Sequence, residues 1–180
     1  HVVGDNPRGH CLDKSHPLFD RFLLLWAPPD PALFHVVDGP RDIPVSFVGR
    51  VGAYRAYRRD YLQYLSTHDI AGRFSCSDED GLVSHAQYAE IIRRSRMCVN
   101  FSFSVDAHQC KARVLEAMLS GALLLESEND QTSMLFNPME DYVPFSSKED
   151  LLGKINYLQA HPDETAAIAR NGTRKAQALY

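Results

Sequence analysis

The sequence lacks any long hydrophobic run. Its apolar stretches, such as residues 22–26 and 122–125, are of a length that suits a protein core. A transmembrane helix needs about 18 or more consecutive apolar residues. We therefore expect no integral membrane segment in this chain.

Cysteine is scarce and is not arranged for metal binding. The four cysteines, at positions 11, 76, 98 and 110, show no C-x-x-C spacing. His10, Cys11 and His16 have no fourth ligand at a suitable distance in the sequence, so they do not form a zinc motif. We expect reduced thiols, no bound metal and a cytoplasmic protein.

Two nucleotide motifs and an excess of positive charge are also missing. The sequence contains neither G-x-G-x-x-G nor a P-loop, which argues against dinucleotide-binding and NTPase classes. A net charge of -4 argues against nucleic acid as a partner. Local basic clusters remain candidates for binding smaller anions.

With 44% hydrophobic and 23% charged residues, the 180-residue chain has the composition of a globular protein. The first residue is His, and we expect the chain to be part of a longer protein. Residues 1–40 are rich in Pro, Gly, Asp and His, which indicates a connector. Residues 41–180 show a regular succession of apolar and amphipathic segments and are the predicted domain.

Strand-like and helix-like segments alternate through this domain. Apolar runs at 45–49, 72–76, 97–101, 122–125 and 142–145 predict strands, separated by segments with helical periodicity. Ser84 and Ser147 are predicted N-caps, and Pro162 suits the first turn of a last helix. Such alternation predicts an α/β fold, a Rossmann-like, doubly wound and mainly parallel sheet.

Residues 113–127, RVLEAMLSGALLLES, predict a helix, a turn at Gly121 and a buried strand. Arg113 and Glu116 share one face of that helix. They are either site residues or a solvated ion pair. Asp106, with Gln109 three residues later, predicts a capping box that starts the helix.

Three arginines, Arg55, Arg58 and Arg59, stand near the predicted start of a helix over residues 54–66. The positive end of the helix dipole disfavours cations there. Their position indicates that an anion lies close by.

Four segments of the sequence, taken together and in their order along the chain, resemble the C-terminal, nucleotide-sugar-binding half of GT-B glycosyltransferases of group 1. Within that group they are most similar to the spore-maturation CgeB-like subset. The segments are SFVGRVGAYR, GLVSHAQYAEIIRRSRMCVNFSFS, KARVLEAMLSGALLLES and YVPFSSKEDLLGKINYLQAHPDETAAIARNG. The resemblance covers about residues 41–180. It implies that residues 1–40 are a connector or a remnant of the N-terminal half.

The resemblance implies catalytic and donor-binding positions. Arg50 and Arg55 match the two cations that contact the donor diphosphate in such enzymes, and Glu116 matches the glutamate that binds the ribose hydroxyls. His108 stands where retaining members have another glutamate, beside the reacting carbon. His108 either contacts the sugar or phosphate or is structural.

Further donor contacts are expected around these positions. Lys111 and Arg113 could face phosphate; an Arg three residues before the Glu is also found in the CgeB-like subset. Ser102 and Ser104 either donate to phosphate or stabilise the turn. The nucleobase is expected near Leu82 and Val83.

The function implied is sugar transfer from a nucleoside-diphosphate sugar to an unknown acceptor, with no cofactor and no metal. The missing N-terminal half would be a partner and could hold the protein at a membrane surface. One alternative is a non-catalytic module that binds a nucleotide sugar or a partner. A flavodoxin-like regulatory domain would need an acidic cluster at the strand ends, where this sequence has basic groups.

Overall fold

The structure is a computed structural model that describes residues 2–4, 22–24, 29–52, 55–77, 80–102 and 110–179. Strands β1 (Val2–Gly4) and β2 (Phe22–Leu24) form a parallel pair of their own. The remaining elements belong to one α/β unit.

Five parallel strands form the central sheet of this unit. They are β3 (Ile43–Gly49), β4 (Gly72–Cys76), β5 (Ser95–Asn100), β6 (Leu123–Ser127) and β7 (Val143–Phe145). Their order across the sheet is β4-β3-β5-β6-β7, and every neighbouring pair is parallel. The predicted α/β fold with a parallel sheet is confirmed.

Six helices accompany these strands in the described part of the unit; the first four connect successive strands and the last two follow β7. They are α1 (Tyr57–Thr67), α2 (His85–Arg94), α3 (Ala112–Leu119), α4 (Asp130–Ser133), α5 (Lys148–Ala160) and α6 (Pro162–Leu179). In the part of the chain that the structure describes, none of them has both the length and the hydrophobicity needed to span a membrane.

The helices cover both faces of the sheet because side chains alternate along each strand. On the first face, the strands contribute Val45, Phe47, Met97, Val99, Leu123, Leu125, Val143 and Phe145 to a core shared with α1 and α5. On the second face, Cys98 and Leu124 pack against apolar residues of α2 and α3. A sheet buried on both faces explains why its strands are continuous apolar runs in the sequence.

Several element boundaries follow the sequence signals. The Ser84 hydroxyl accepts a hydrogen bond from the backbone N–H of Gln87 in a capping box, and Ser147 caps α5. Gly121 has a φ of 76°, the left-handed conformation expected after a helix. These boundaries are confirmed.

The start of α3 was predicted too early. Asp106 lies outside the described residues, and α3 begins only at Ala112, after Lys111 in an extended conformation. Within the described residues, no side chain caps the first turn of α3, whose N-cap position is occupied by Lys111.

Two glycines inside helices allow a test of how closely the last helix packs. A Cβ at Gly172 would lie 2.3 Å from the carbonyl oxygen of Asp141, whereas a Cβ at Gly153 would meet nothing within 4 Å. We expect Gly172→Ala to lower the free energy of unfolding by about 1–3 kcal/mol through overpacking. Gly153→Ala should raise it by about 0.5–1 kcal/mol, because alanine is the better helix former. Urea denaturation of both variants measures this, and equal stabilities would contradict the packing at Gly172.

Candidate functional site

Three strands end side by side at the carboxyl edge of the sheet. Strand β3 ends at Gly49, β5 at Asn100 and β6 at Ser127. From β3 the chain passes to one side to form β4 and then to the other side to form β5, so the winding direction reverses between β3 and β5. Ligands of open α/β sheets bind at the carboxyl edge at such a reversal.

Arg58 of α1 is a buried cation at this reversal, with only 4% of its surface exposed. Its Nη1 donates to the carbonyl oxygen of Arg50 at 3.2 Å, and its Nη2 donates to the carbonyl oxygen of Phe101 at 3.1 Å. The guanidinium thereby ties the end of β3 to the end of β5. Backbone carbonyl oxygens thus provide the partial negative charge that the sequence indicated near Arg58.

The side chain of Lys111, directly before α3, extends to the same end of β5. Its Nζ donates to the carbonyl oxygen of Phe101 at 3.0 Å, so the charges of Arg58 and Lys111 converge on one oxygen atom. Burial and the charges of Arg58, Arg55 and Arg113 together lower the pKa of Lys111 to about 8, against the opposing charge of Glu126. A lysine pKa is lowered in this way where positive charge accumulates.

We call these four residues, Arg55, Arg58, Lys111 and Arg113, the cationic cluster. Arg55 is half-buried in the turn before α1, and its backbone N–H donates to the carbonyl oxygen of Gly52. Arg50 follows β3 directly, and its side chain is exposed. Residues from three separate stretches of sequence therefore bring positive charge to one edge of the sheet.

Arg113 is held by aromatic and polar groups. Its Nε donates to the Tyr88 hydroxyl at 3.1 Å, and its Nη1 donates to Asn100 Oδ1 at 3.3 Å. Its guanidinium carbon lies 5.4 Å from the centroid of the Phe47 ring and 5.6 Å from that of Tyr88. These contacts fix the orientation of Arg113.

Glu116 lies one turn further along α3 and is half-buried. Its Oε2 accepts a hydrogen bond from the Tyr88 hydroxyl. Burial raises the pKa of Tyr88, so the phenol keeps its proton for this bond. A carboxylate can accept several hydrogen bonds, so Glu116 can accept further donors from a ligand.

The predicted nucleobase contacts lie in the segment before α2. Gly81 has a φ of 83°, and Leu82 after it is 82% exposed. Val83 is half-buried and packs against Ile43, Val48 and Ile91. Leu82 therefore offers an apolar surface beside the carboxyl end of β4.

Of the two predicted serines, the structure describes only Ser102. It is buried, and its hydroxyl donates to Glu126. Its backbone N–H donates to the Ser127 hydroxyl at 2.9 Å. Ser104 and His108 lie outside the described residues.

Four residues that structure this edge were not identified as site residues from the sequence: Arg58, Tyr88, Asn100 and Glu126. Glu126 is fully buried, and its Oε2 accepts from Asn100 Nδ2 at 2.7 Å. A carboxylate inside the apolar run LLLES was the signal that could have identified Glu126, because charged groups are rarely buried without a partner. Tyr88 has the spacing of an ordinary core residue of α2 and gave no such signal.

No group of three or more His, Cys, Asp or Glu side chains in the described ranges is arranged to hold a metal ion. The described side chains at the site provide cations, the half-buried carboxylate of Glu116 and the fully buried carboxylate of Glu126.

A comparison with protein families matches residues 41–180 to a model described as glycosyl transferase-like. None of the curated proteins compared with the chain matches it.

Solved structures show the same architecture. The C-terminal domain of a glycosyl transferase group 1 family protein, LpcC from Francisella tularensis, has a TM-score of 0.61 and 13% identity, and the match covers 84% of this chain and 97% of that one. Sucrose-phosphate synthase from Thermosynechococcus elongatus has a TM-score of 0.64 and 18% identity, with 88% of this chain and 48% of that chain covered.

The Anabaena protein HepE, solved in complex with UDP-glucose, has a TM-score of 0.65 and 12% identity, with 89% of this chain and 54% of that chain covered. The chain thus spans nearly all of the LpcC domain and about half of the two longer proteins. At these identities the likeness establishes the fold, which is the Rossmann-like C-terminal domain of GT-B proteins.

Proposed function

Since this chain belongs to the glycosyl transferase-like family, we propose that its carboxyl edge binds the nucleoside-diphosphate-sugar donor of a glycosyl transfer reaction. The observation that carries the proposal is the convergence of Arg58 and Lys111 on the carbonyl oxygen of Phe101, with Glu116 on the helix that begins directly after Lys111. Concentrated positive charge suits a diphosphate, and a nearby carboxylate suits a pair of ribose hydroxyls.

In this proposal the cationic cluster and Arg50 stabilise the negative charge that develops on the departing diphosphate. Preorganised cations at the place where charge develops contribute much of the rate enhancement in such reactions. Fixed side-chain cations also make a metal ion unnecessary, so we propose metal-independent transfer. We assign Leu82 and Val83 to the nucleobase and, from the family resemblance, Ser104 and His108 to the phosphate and sugar, whereas Ser102 is buried against Glu126 and is assigned to stabilising the turn.

We place the chain in the CgeB-like subset, since Arg113 precedes Glu116 by three residues as in that subset. The acceptor site and the group that takes the acceptor proton are assigned to an N-terminal GT-B half. That half could also bring the protein to a membrane surface. HepE, which was solved with UDP-glucose, supports a uridine nucleotide as the first donor to examine.

A turnover assay separates the two functions that this site could serve. The intact protein is incubated with UDP-glucose and, separately, with a GDP-sugar, and release of the free nucleoside diphosphate is followed. Release supports a glycosyltransferase. Binding without release supports a non-catalytic nucleotide-sugar module. This hypothesis is motivated by His108, which stands at the position of a catalytic glutamate in the related enzymes.

The pKa of Lys111 predicts how binding depends on pH. A bound diphosphate favours the ammonium form, so affinity should be constant well below the pKa of about 8 and fall above it. At pH 9 about one tenth of the free protein has Lys111 protonated, so the affinity for UDP or GDP should be up to about tenfold lower than at pH 7.

Lys111→Arg provides the control, because an arginine stays charged throughout this range. Calorimetric titrations of both proteins at pH 7 and pH 9 measure the effect. An equal loss of affinity in Lys111→Arg at pH 9 would show that Lys111 is not the titrating group.

A further inference from the structure

A buried carboxylate lies behind the proposed donor site, one strand away from the cationic cluster. Glu126 of β6 is fully buried and pairs in register with Asn100 of β5. Both of its oxygens accept hydrogen bonds, Oε2 from Asn100 Nδ2 at 2.7 Å and Oε1 from the Ser102 hydroxyl. Glu126 is too deep in the sheet to touch a ligand directly.

Glu126 sets the orientation of the Asn100 amide. The NH₂ group of Asn100 is directed to Glu126, so its Oδ1 faces Arg113 and accepts from Nη1 at 3.3 Å. The opposite orientation would place an NH₂ group against a guanidinium, where two donors would face each other. The carboxylate therefore determines which atom Arg113 meets.

The series of hydrogen bonds continues from Arg113 through Tyr88 to Glu116. Arg113 donates through Nε to the Tyr88 oxygen at 3.1 Å, so that oxygen acts as an acceptor toward Arg113. The phenolic proton is then directed to Oε2 of Glu116. Arg113 can only donate, so what Asn100 Oδ1 and the Tyr88 oxygen fix is the position of the guanidinium between them, and the Tyr88 oxygen that accepts from Arg113 directs its own proton to Glu116.

We infer that Glu126, acting through Asn100, Arg113 and Tyr88, is a positioning residue that orients the Glu116 carboxylate toward the ribose hydroxyls of the donor. The inference rests on the proposed function, since it assumes that Glu116 contacts ribose. Tyr88 engages Oε2, which leaves Oε1 to accept from the ligand. Networks of this kind hold a binding group in one rotamer before the ligand arrives.

The titratable and charged groups around Glu126 are compatible with its role as the acceptor that orients Asn100. Burial raises the pKa of Glu126 to about 7, against the hydrogen bonds from Ser102 and Asn100 and the charges of Lys111 and Arg113. Among the described residues, the other titratable groups that interact with it are Cys98, Cys110 and Tyr142. Either protonation state keeps an acceptor oxygen for Asn100.

The test measures the ribose contribution itself. The affinity of the intact protein is measured for UDP and for 2′,3′-dideoxy-UDP, and for GDP and its dideoxy analogue as a second pair. The affinity for the ribose form divided by the affinity for the dideoxy form reports the contribution of the hydroxyl contacts. We expect a ratio of about ten in the wild type. A wild type that binds neither nucleotide overturns the proposed function, and a wild-type ratio near one overturns the assignment of Glu116 to ribose.

Two variants then address the inference. Glu126→Leu should reduce the ratio at least threefold, whereas Glu126→Gln, which can still present an oxygen to Asn100, should keep it. Tyr88→Phe removes the last bond of the series at constant volume and should also reduce the ratio, so the inference stays testable even where Glu126→Leu fails to fold. Tyr157→Phe is the matched control, because the Tyr157 hydroxyl donates to Glu164 at an exposed position.

A ratio that stays at the wild-type value in a folded Glu126→Leu variant, or in Tyr88→Phe, would overturn the inference while leaving the proposed function intact. An equal reduction in Tyr157→Phe would also overturn it, since the effect would then not depend on this series of hydrogen bonds.

Discussion

Replacing Glu116 by alanine is expected to weaken the binding of UDP or GDP by about ten- to a hundredfold. One hydrogen bond to a charged group contributes about 1.5–3 kcal/mol, which corresponds to about ten- to a hundredfold in affinity, and a ribose hydroxyl can donate such a bond to this carboxylate. The variant should also lose the preference for ribose over dideoxyribose. Calorimetric titration measures both quantities.

The fold should be unaffected by this substitution, because Glu116 is half-buried and accepts its described hydrogen bond from a tyrosine that Arg113 also holds. Glu164→Ala is the matched control, since Glu164 accepts the same kind of bond from Tyr157 away from the site. Unfolding of Glu116→Ala would assign the residue a structural role instead. Full retention of affinity would remove it from the donor site.

Replacing Arg58 by alanine is expected to lower the free energy of unfolding by about 2–4 kcal/mol. The substitution removes the Arg58 donor from the carbonyl oxygen of Arg50 and one of two donors from that of Phe101, which keeps Lys111; a buried acceptor left without a donor costs about 1–3 kcal/mol. It also removes the packing of the guanidinium against the Phe101 ring, whose centroid lies 5.7 Å away. Urea denaturation followed by circular dichroism measures the change.

Arg58→Lys should restore only part of this stability, because an ammonium cannot reproduce the two-pronged geometry of a guanidinium. Arg73→Ala, at an exposed position of β4, serves as the control and should change stability by less than about 0.5 kcal/mol. A similar small effect for Arg58→Ala would show that the ends of β3 and β5 do not depend on this residue.

The fold was predictable because its signals are local. Apolar runs such as LLL in β6 are long enough to indicate strands buried on both faces, and Ser84, Ser147, Pro162 and Gly121 mark helix ends by backbone chemistry that depends on a few residues. The start of α3 was not predictable in this way. Asp106 and Gln109 have the spacing of a capping box, yet the helix begins only at Ala112.

The site was predictable only in part. Glu116, Arg113 and Lys111 were identified because they stand within six residues of one another in a recognisable motif, at the start of α3 and along it. Arg58 was noticed as a cation near a helix start, but its partners are carbonyl oxygens that lie 8 and 43 residues away in the chain. Such contacts depend on how the strands are ordered in the sheet, which spacing in the sequence does not specify.

The contact between Asn100 and Glu126 could not be predicted from the sequence for the same reason. Their hydrogen bond joins two neighbouring strands in register, and it exists only because β5 and β6 pair with Asn100 opposite Glu126. The sequence contains both residues at strand ends, but their pairing becomes evident only in the sheet. Side-chain networks between strands therefore have to be read from the structure.

The central claim is that the carboxyl edge of this sheet binds a nucleoside diphosphate, and calorimetric titration of the intact protein with UDP and with GDP tests it most directly. The account predicts saturable binding of one equivalent of at least one of them at pH 7, weakened about ten- to a hundredfold by Glu116→Ala. A folded wild-type protein that binds neither UDP nor GDP would contradict it.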